Sequence, residues 1–80
     1  MDMRKLKISD LFGTYTDLYG LHDKYGISTV CYGTYRRKDG GKVYYIKDAF
    51  SLSNDYYVKG SQYDVKRFLY NKIIEKRGAF

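Results

Sequence analysis

The chain has 80 residues and a formal net charge of +6, with 15 Lys and Arg, nine Asp and Glu, eleven Tyr, one Cys, one His, no Trp and no Pro. So short a chain makes one domain, residues 1–80, with one small core that buries about 60–65% of its unfolded surface, which excludes a second domain and a deep walled cleft. The lone Cys31 excludes an internal disulfide and a four-Cys metal site, and no window approaches the roughly 20 apolar residues of a membrane span.

The first predicted element is a helix over Ser9–Tyr25. Leu11, Phe12, Tyr15, Leu18, Tyr19, His22 and Tyr25 share one helical face. Ser9 or Asp10 can cap its start, and Gly26 can end it. Gly13, Thr14, Thr16 and Gly20 lower its propensity, so irregular or extended structure through Gly13–Gly20 is the alternative.

Ile27–Arg37 is β-branched and aromatic and reads as a strand. Asp39-Gly40 is a strong hairpin signal, and Lys42–Phe50 returns as a second strand. Ser51–Asn54 is a loop, Asp55–Lys59 a short third strand, and Gly60 its end. Ser61-Gln62-Tyr63-Asp64 resembles a capping box opening a helix over Gln62–Arg77, with Val65, Phe68, Leu69 and Ile73 as its apolar stripe. The expected fold is α+β: a three-stranded antiparallel sheet with an N-terminal and a C-terminal helix packed on one face.

A two-residue Asp39-Gly40 turn pairs Tyr35 with Tyr44 and Gly33 with Ile46. The helices then cover Ile27, Cys31, Tyr35, Tyr44 and Ile46, with Tyr56 and Val58 from the third strand. The open face carries Tyr32, Arg36, Tyr45, Lys47, Tyr57 and Lys59. A three-residue turn reverses this pairing, because a one-residue shift exchanges the faces.

No catalytic set emerges. His22 falls within an apolar stripe, Cys31 reads as a small buried hydrophobe, and the aspartates Asp48, Asp55 and Asp64 have no metal-ligand spacing. Gly40-Gly41-Lys42 lacks the other residues of a phosphate loop. No cofactor or metal is expected. Basic residues cluster at Arg4, Lys5 and Lys7, at Arg36, Arg37, Lys38 and Lys42, and along the last helix. Tyrosines among such cations suit phosphates, bases or an acidic protein surface; the plainer reading is a solubility surplus over a tyrosine-rich core. The expected partner- or nucleic-acid-binding residues are Tyr32, Arg36, Arg37, Lys38, Tyr45, Lys47, Tyr57 and Lys59. A second patch is Lys66, Arg67, Tyr70 and Ile74, suited to a partner or to a homodimer interface.

Gly33-Thr34-Tyr35-Arg36-Arg37-Lys38-Asp39-Gly40, then Val43–Ile46, then Tyr57–Ser61 and a helix, resembles three-strand-plus-helix DNA-binding domains. These include integrase arm-binding domains and the plant ethylene-response-factor domain, although the latter's Trp is missing. The resemblance implies a sheet that reads DNA through outward Arg, Lys and aromatic residues. Gly41–Tyr45, Ser51–Ser53, Gly60 and Asp64, in the same order of elements, are similar to a small phage inhibitor of uracil-DNA glycosylase and to some anti-CRISPR proteins. Those inhibitors are usually acidic, whereas this chain is basic. Their likeness implies a non-enzymatic phage protein that inhibits host nucleic-acid or defence machinery in the bacterial cytoplasm. Its partner would be a host protein or a protein–nucleic-acid complex. The alternative is a DNA-binding accessory or regulatory protein that contacts DNA or RNA directly, with no membrane in either case.

Overall fold

The computed structural model describes residues 2–19, 30–49 and 55–78. After a short 3-10 helix (Met3–Lys5) come α1 (Ile8–Tyr19), β1 (Val30–Arg36), β2 (Lys42–Asp48), β3 (Tyr56–Gly60) and α2 (Gln62–Gly78). The strands form one antiparallel sheet in the order β1-β2-β3, and both helices lie on one side of it. The fold is α+β, as expected from the sequence.

Helix α1 continues through Gly13–Tyr19, against the irregular alternative. Ile8, Leu11 and Tyr15 reach the core together, and burial of such a face outweighs weak propensity. The buried Thr16 hydroxyl is satisfied within the helix, donating to the carbonyls of Phe12 (3.0 Å) and Gly13 (2.9 Å). The expected extension to Tyr25, the stop at Gly26, His22, the strand start at Ile27, the strand end at Phe50 and the Ser51–Asn54 loop lie outside the described residues.

The hairpin corrects the two-residue turn. The carbonyl of Arg37 accepts the Gly40 N–H (2.9 Å), and the Arg37 N–H donates to the Gly41 carbonyl (2.8 Å). Lys38-Asp39-Gly40 is therefore a three-residue loop. Gly40 takes φ +89°, a conformation that costs glycine alone nothing, and this is the bulge that closes such loops. The Asp39 carboxylate accepts the Gly41 N–H (2.8 Å), which locks the loop.

This loop moves the register by one: Tyr35 pairs with Val43 and Gly33 with Tyr45. The β2 faces stand as expected, with Tyr44 and Ile46 toward the helices and Tyr45 and Lys47 away. The β1 faces are exchanged. Val30, Tyr32, Thr34 and Arg36 join the helix side, and Cys31, Gly33 and Tyr35 join the open side. A bulge between Ile46 and Lys47 shifts β3, so Val58 pairs with Ile46 while Tyr56 pairs with Lys47. Tyr56 thus moves to the open face and Tyr57 is left out of register.

The core centres on Ile46, Val65 and Leu69, all fully buried, and is completed by Ile8, Leu11, Tyr15, Val30 and Ile73. Phe68 is only partly buried, its ring 6.0 Å from that of Tyr15. The capping box forms with Asp in the acidic position. Asp64 accepts the Ser61 N–H and hydroxyl, both at 2.9 Å, and its own N–H reaches the Ser61 hydroxyl at 3.2 Å.

Leu69→Ala should cost about 2–5 kcal/mol, and Phe68→Ala less, because Phe68 already keeps part of its surface in water. Urea titration of both variants checks the order; a larger loss at Phe68 would contradict the packing. The Ser61 backbone N–H and then its hydroxyl lower the pKa of Asp64, and the Gly41 N–H and then Arg37 lower that of Asp39. Both groups therefore stabilise the fold above the ordinary aspartate pKa of about 3.9, and that contribution is lost as pH falls through the lower folded values. Melting curves across this acid range should fall less steeply for Asp64→Asn than for the unaltered protein.

Candidate functional site

The side of the sheet away from the helices carries Cys31, Gly33 and Tyr35 from β1, Val43, Tyr45 and Lys47 from β2, and Tyr56 and Lys59 from β3. Its organising feature is at Gly33. A Cβ built there would collide with the phenol end of Tyr45, so the Tyr45 ring lies across the gap that glycine leaves. Laid flat in this way, Tyr45 links two neighbours. Its ring centroid is 5.9 Å from that of Tyr35, tilted by 41°, and 5.4 Å from that of Tyr56, edge-on at 75°. The three rings form a diagonal ladder across all three strands. Aromatic pairs prefer such tilted and edge-on geometries over a face-to-face sandwich.

Cations frame the ladder. The Lys59 ammonium stands 4.9 Å from the centroid of the Tyr56 ring, and Lys47 is half-buried beside it. At the hairpin end, Tyr35, Arg37, Val43, Lys59 and Gly60 line a cleft of about 290 Å³. Val43 is only 6% exposed, although no helix covers its face, and Tyr35 is 38% exposed. Among the described residues no carboxylate takes a strand position on this face. At the hairpin end the Asp39 carboxylate lies 3.4 Å from Nε of Arg37.

Of the residues singled out from the sequence, Tyr45, Lys47 and Lys59 share this face, with Arg37 and Lys38 exposed at its hairpin end. Tyr32 does not. It sits on the helix side with its ring 6.1 Å from that of Phe12, and burial, then the neighbouring Tyr44, raise the pKa of its phenol. Arg36 also lies on the helix side, where its guanidinium donates to the Gly40 carbonyl (3.2 Å). Tyr57, the bulged residue, is 51% exposed. The second patch loses Lys66, which is only 6% exposed and donates to the Arg4 carbonyl (3.3 Å), tying the N-terminal turn to α2. Arg67 and Ile74 remain exposed and Tyr70 half-buried.

Tyr35, Tyr56 and Val43 were missed by sequence reasoning. The signal that could have found them is Gly33. An isolated glycine inside a strand marks a place where something approaches the backbone closely.

Comparisons with protein-family models, characterised proteins and solved structures return no match. No helix among the described residues is long and apolar enough to cross a membrane.

Gly33→Ala should displace the Tyr45 ring and cost about 1–3 kcal/mol. In a Tyr45→Ala background the same change should cost much less, because the effects of touching residues are not additive. Additive losses in this double-mutant cycle would show that the ring does not depend on the gap.

Proposed function

We propose that the chain is a non-enzymatic binding protein whose open sheet face takes single-stranded nucleic acid. The observation that carries this reading is the pairing of a three-tyrosine ladder with Lys47 and Lys59 on a face free of carboxylate strand positions among the described residues. Phosphates need fixed cations and bases need aromatic surface. Stacking on an aromatic side chain contributes about 1–3 kcal/mol per base and tolerates any sequence. The net charge of +6 adds long-range attraction for a polyanion.

The face favours a single strand over duplex because its central ring, Tyr45, lies flat across Gly33 instead of projecting from the sheet. A flat ring offers its face to an unstacked base; groove readout asks for long side chains that reach base edges. Direct nucleic-acid binding, the alternative in the sequence reading, thereby becomes the leading one. The phage-type inhibitor reading keeps the same face and replaces the strand by an acidic surface of a host protein.

Lys47→Ala and Lys59→Ala test the assignment. Each should weaken binding of a short single strand. Each should also lower the slope of log affinity against log salt, by about 0.7 for every phosphate no longer neutralised. Melting of Lys59→Ala should move little, since an exposed cation–π pair contributes only about 0.5–1 kcal/mol. Fluorescence anisotropy at several salt concentrations measures the slope. Unchanged slopes in both variants would place the phosphates elsewhere. Tighter binding of duplex than of single strand would restore groove reading. Failure to bind either, with a stoichiometric protein complex recovered instead, would move the face to the inhibitor reading.

A further inference from the structure

We infer that the cleft at the hairpin end of the open face is a subsite for one nucleotide unit, base inward and phosphate at the rim. This rests on the reading of the face just given and locates the recognition within it. The ladder rings are packed against one another and leave no depth between them. The recess on this face lies instead beside the hairpin. Its volume of about 290 Å³ stands at the lower end of small-molecule sites, which begin near 300 Å³. That is room for a planar ring and little more.

The lining suits such a ring. Val43 gives an apolar floor, and the exposed side of Tyr35 gives an aromatic wall. The rim supplies charge at two points. Arg37 stands at the mouth, where Asp39 engages its Nε at 3.4 Å and its Nη2 lies over Gly41. Lys59 lines the cleft while its ammonium stands over Tyr56, so a chain leaving the cleft toward the ladder meets a second cation. Asp64 does not oppose this charge. Gly60 pairs with Tyr44, which puts its missing side chain, and the Asp64 carboxylate lying against it, on the helix side. The chemistry is therefore an aromatic ring bearing a phosphate, supplied either by one residue of a single strand or by a free mononucleotide.

The test uses the full chain with labelled valine methyl groups. The probes are a hexadeoxyadenylate strand, adenosine monophosphate, adenosine and ribose 5-phosphate. The strand and the monophosphate should both shift the Val43 methyl signals. Adenosine and ribose phosphate should each bind about tenfold or more weakly, the first lacking the phosphate and the second the stacked base. Tyr35→Ala should bring the monophosphate down to the affinity of ribose phosphate. Because this ring also packs on Tyr45 and covers Val43, the variant should melt lower, and its binding is compared at a temperature where circular dichroism shows it folded. Arg37→Ala should bring it down to that of adenosine.

If the strand binds while the Val43 methyls stay still, the cleft is not a subsite, although the face still binds nucleic acid. Undiminished monophosphate binding by Tyr35→Ala overturns the subsite in the same way. If the monophosphate binds and shifts Val43 but the strand does not bind, the subsite stands with a free nucleotide as its ligand and the strand reading falls. If no probe binds, both fall.

Discussion

One backbone angle orders this molecule. Gly40 sits at φ +89° and turns the hairpin in three residues instead of two. Side chains alternate along a strand, so the length of that loop decides which half of β1 meets the helices. With three residues, Val30 enters the core and Tyr35 leaves it. The gap at Gly33 then opens on the same side as Tyr45, and the ring ladder becomes possible. A two-residue turn would have put Tyr35 opposite Tyr44 beneath the helices and left Val30 in water. Asp39, bonded to the Gly41 N–H, holds the loop in the form that gives the first arrangement.

The two sides of the sheet are built from different materials for a physical reason. The centre of the helix side is aliphatic, with Ile46, Val65 and Leu69 fully buried, because such side chains fill a small core densely without polar atoms to satisfy, and the aromatic Phe12, Tyr15, Tyr44 and Phe68 pack around them. The open side is built from tyrosine, whose ring covers backbone and neighbours while its hydroxyl stays hydrated. Val43 is buried there because Tyr35, Arg37 and Lys59 surround it. The face is thus self-supporting and needs no helix over it. It keeps flat aromatic surface and fixed cations in water, where a polyanion with exposed bases can use both.

Elements were legible where local chemistry decides them. The Ser61–Asp64 box and the Val65, Leu69, Ile73 spacing specify α2 within the chain itself, and the glycine-rich turn marks the hairpin without long-range information. What failed depended on single-residue counting or on distant packing. Asp39-Gly40 fits a two-residue turn and equally the last two positions of a three-residue loop, and the flanking pattern does not separate them because tyrosine is at home on either face. The bulge that moves Tyr56 outward depends on how β3 docks under α2. Lys66 looked like part of an exposed basic patch; it is covered because the N-terminal turn, far earlier in the chain, places the Arg4 carbonyl beside its ammonium. The candidate site followed the register. Tyr45, Lys47 and Lys59 were placed through β2 and its neighbour, while Tyr32 and Arg36 went to the wrong side with the rest of β1.

The most direct measurement is a map of tyrosine ring signals by nuclear magnetic resonance as a single-stranded oligonucleotide is added. The rings of Tyr35, Tyr45 and Tyr56 should move together, while those of Tyr15 and Tyr44 on the helix side stay in place. Shifts confined to Tyr44 and Tyr32, with the ladder rings unmoved, would contradict both the register and the function built on it.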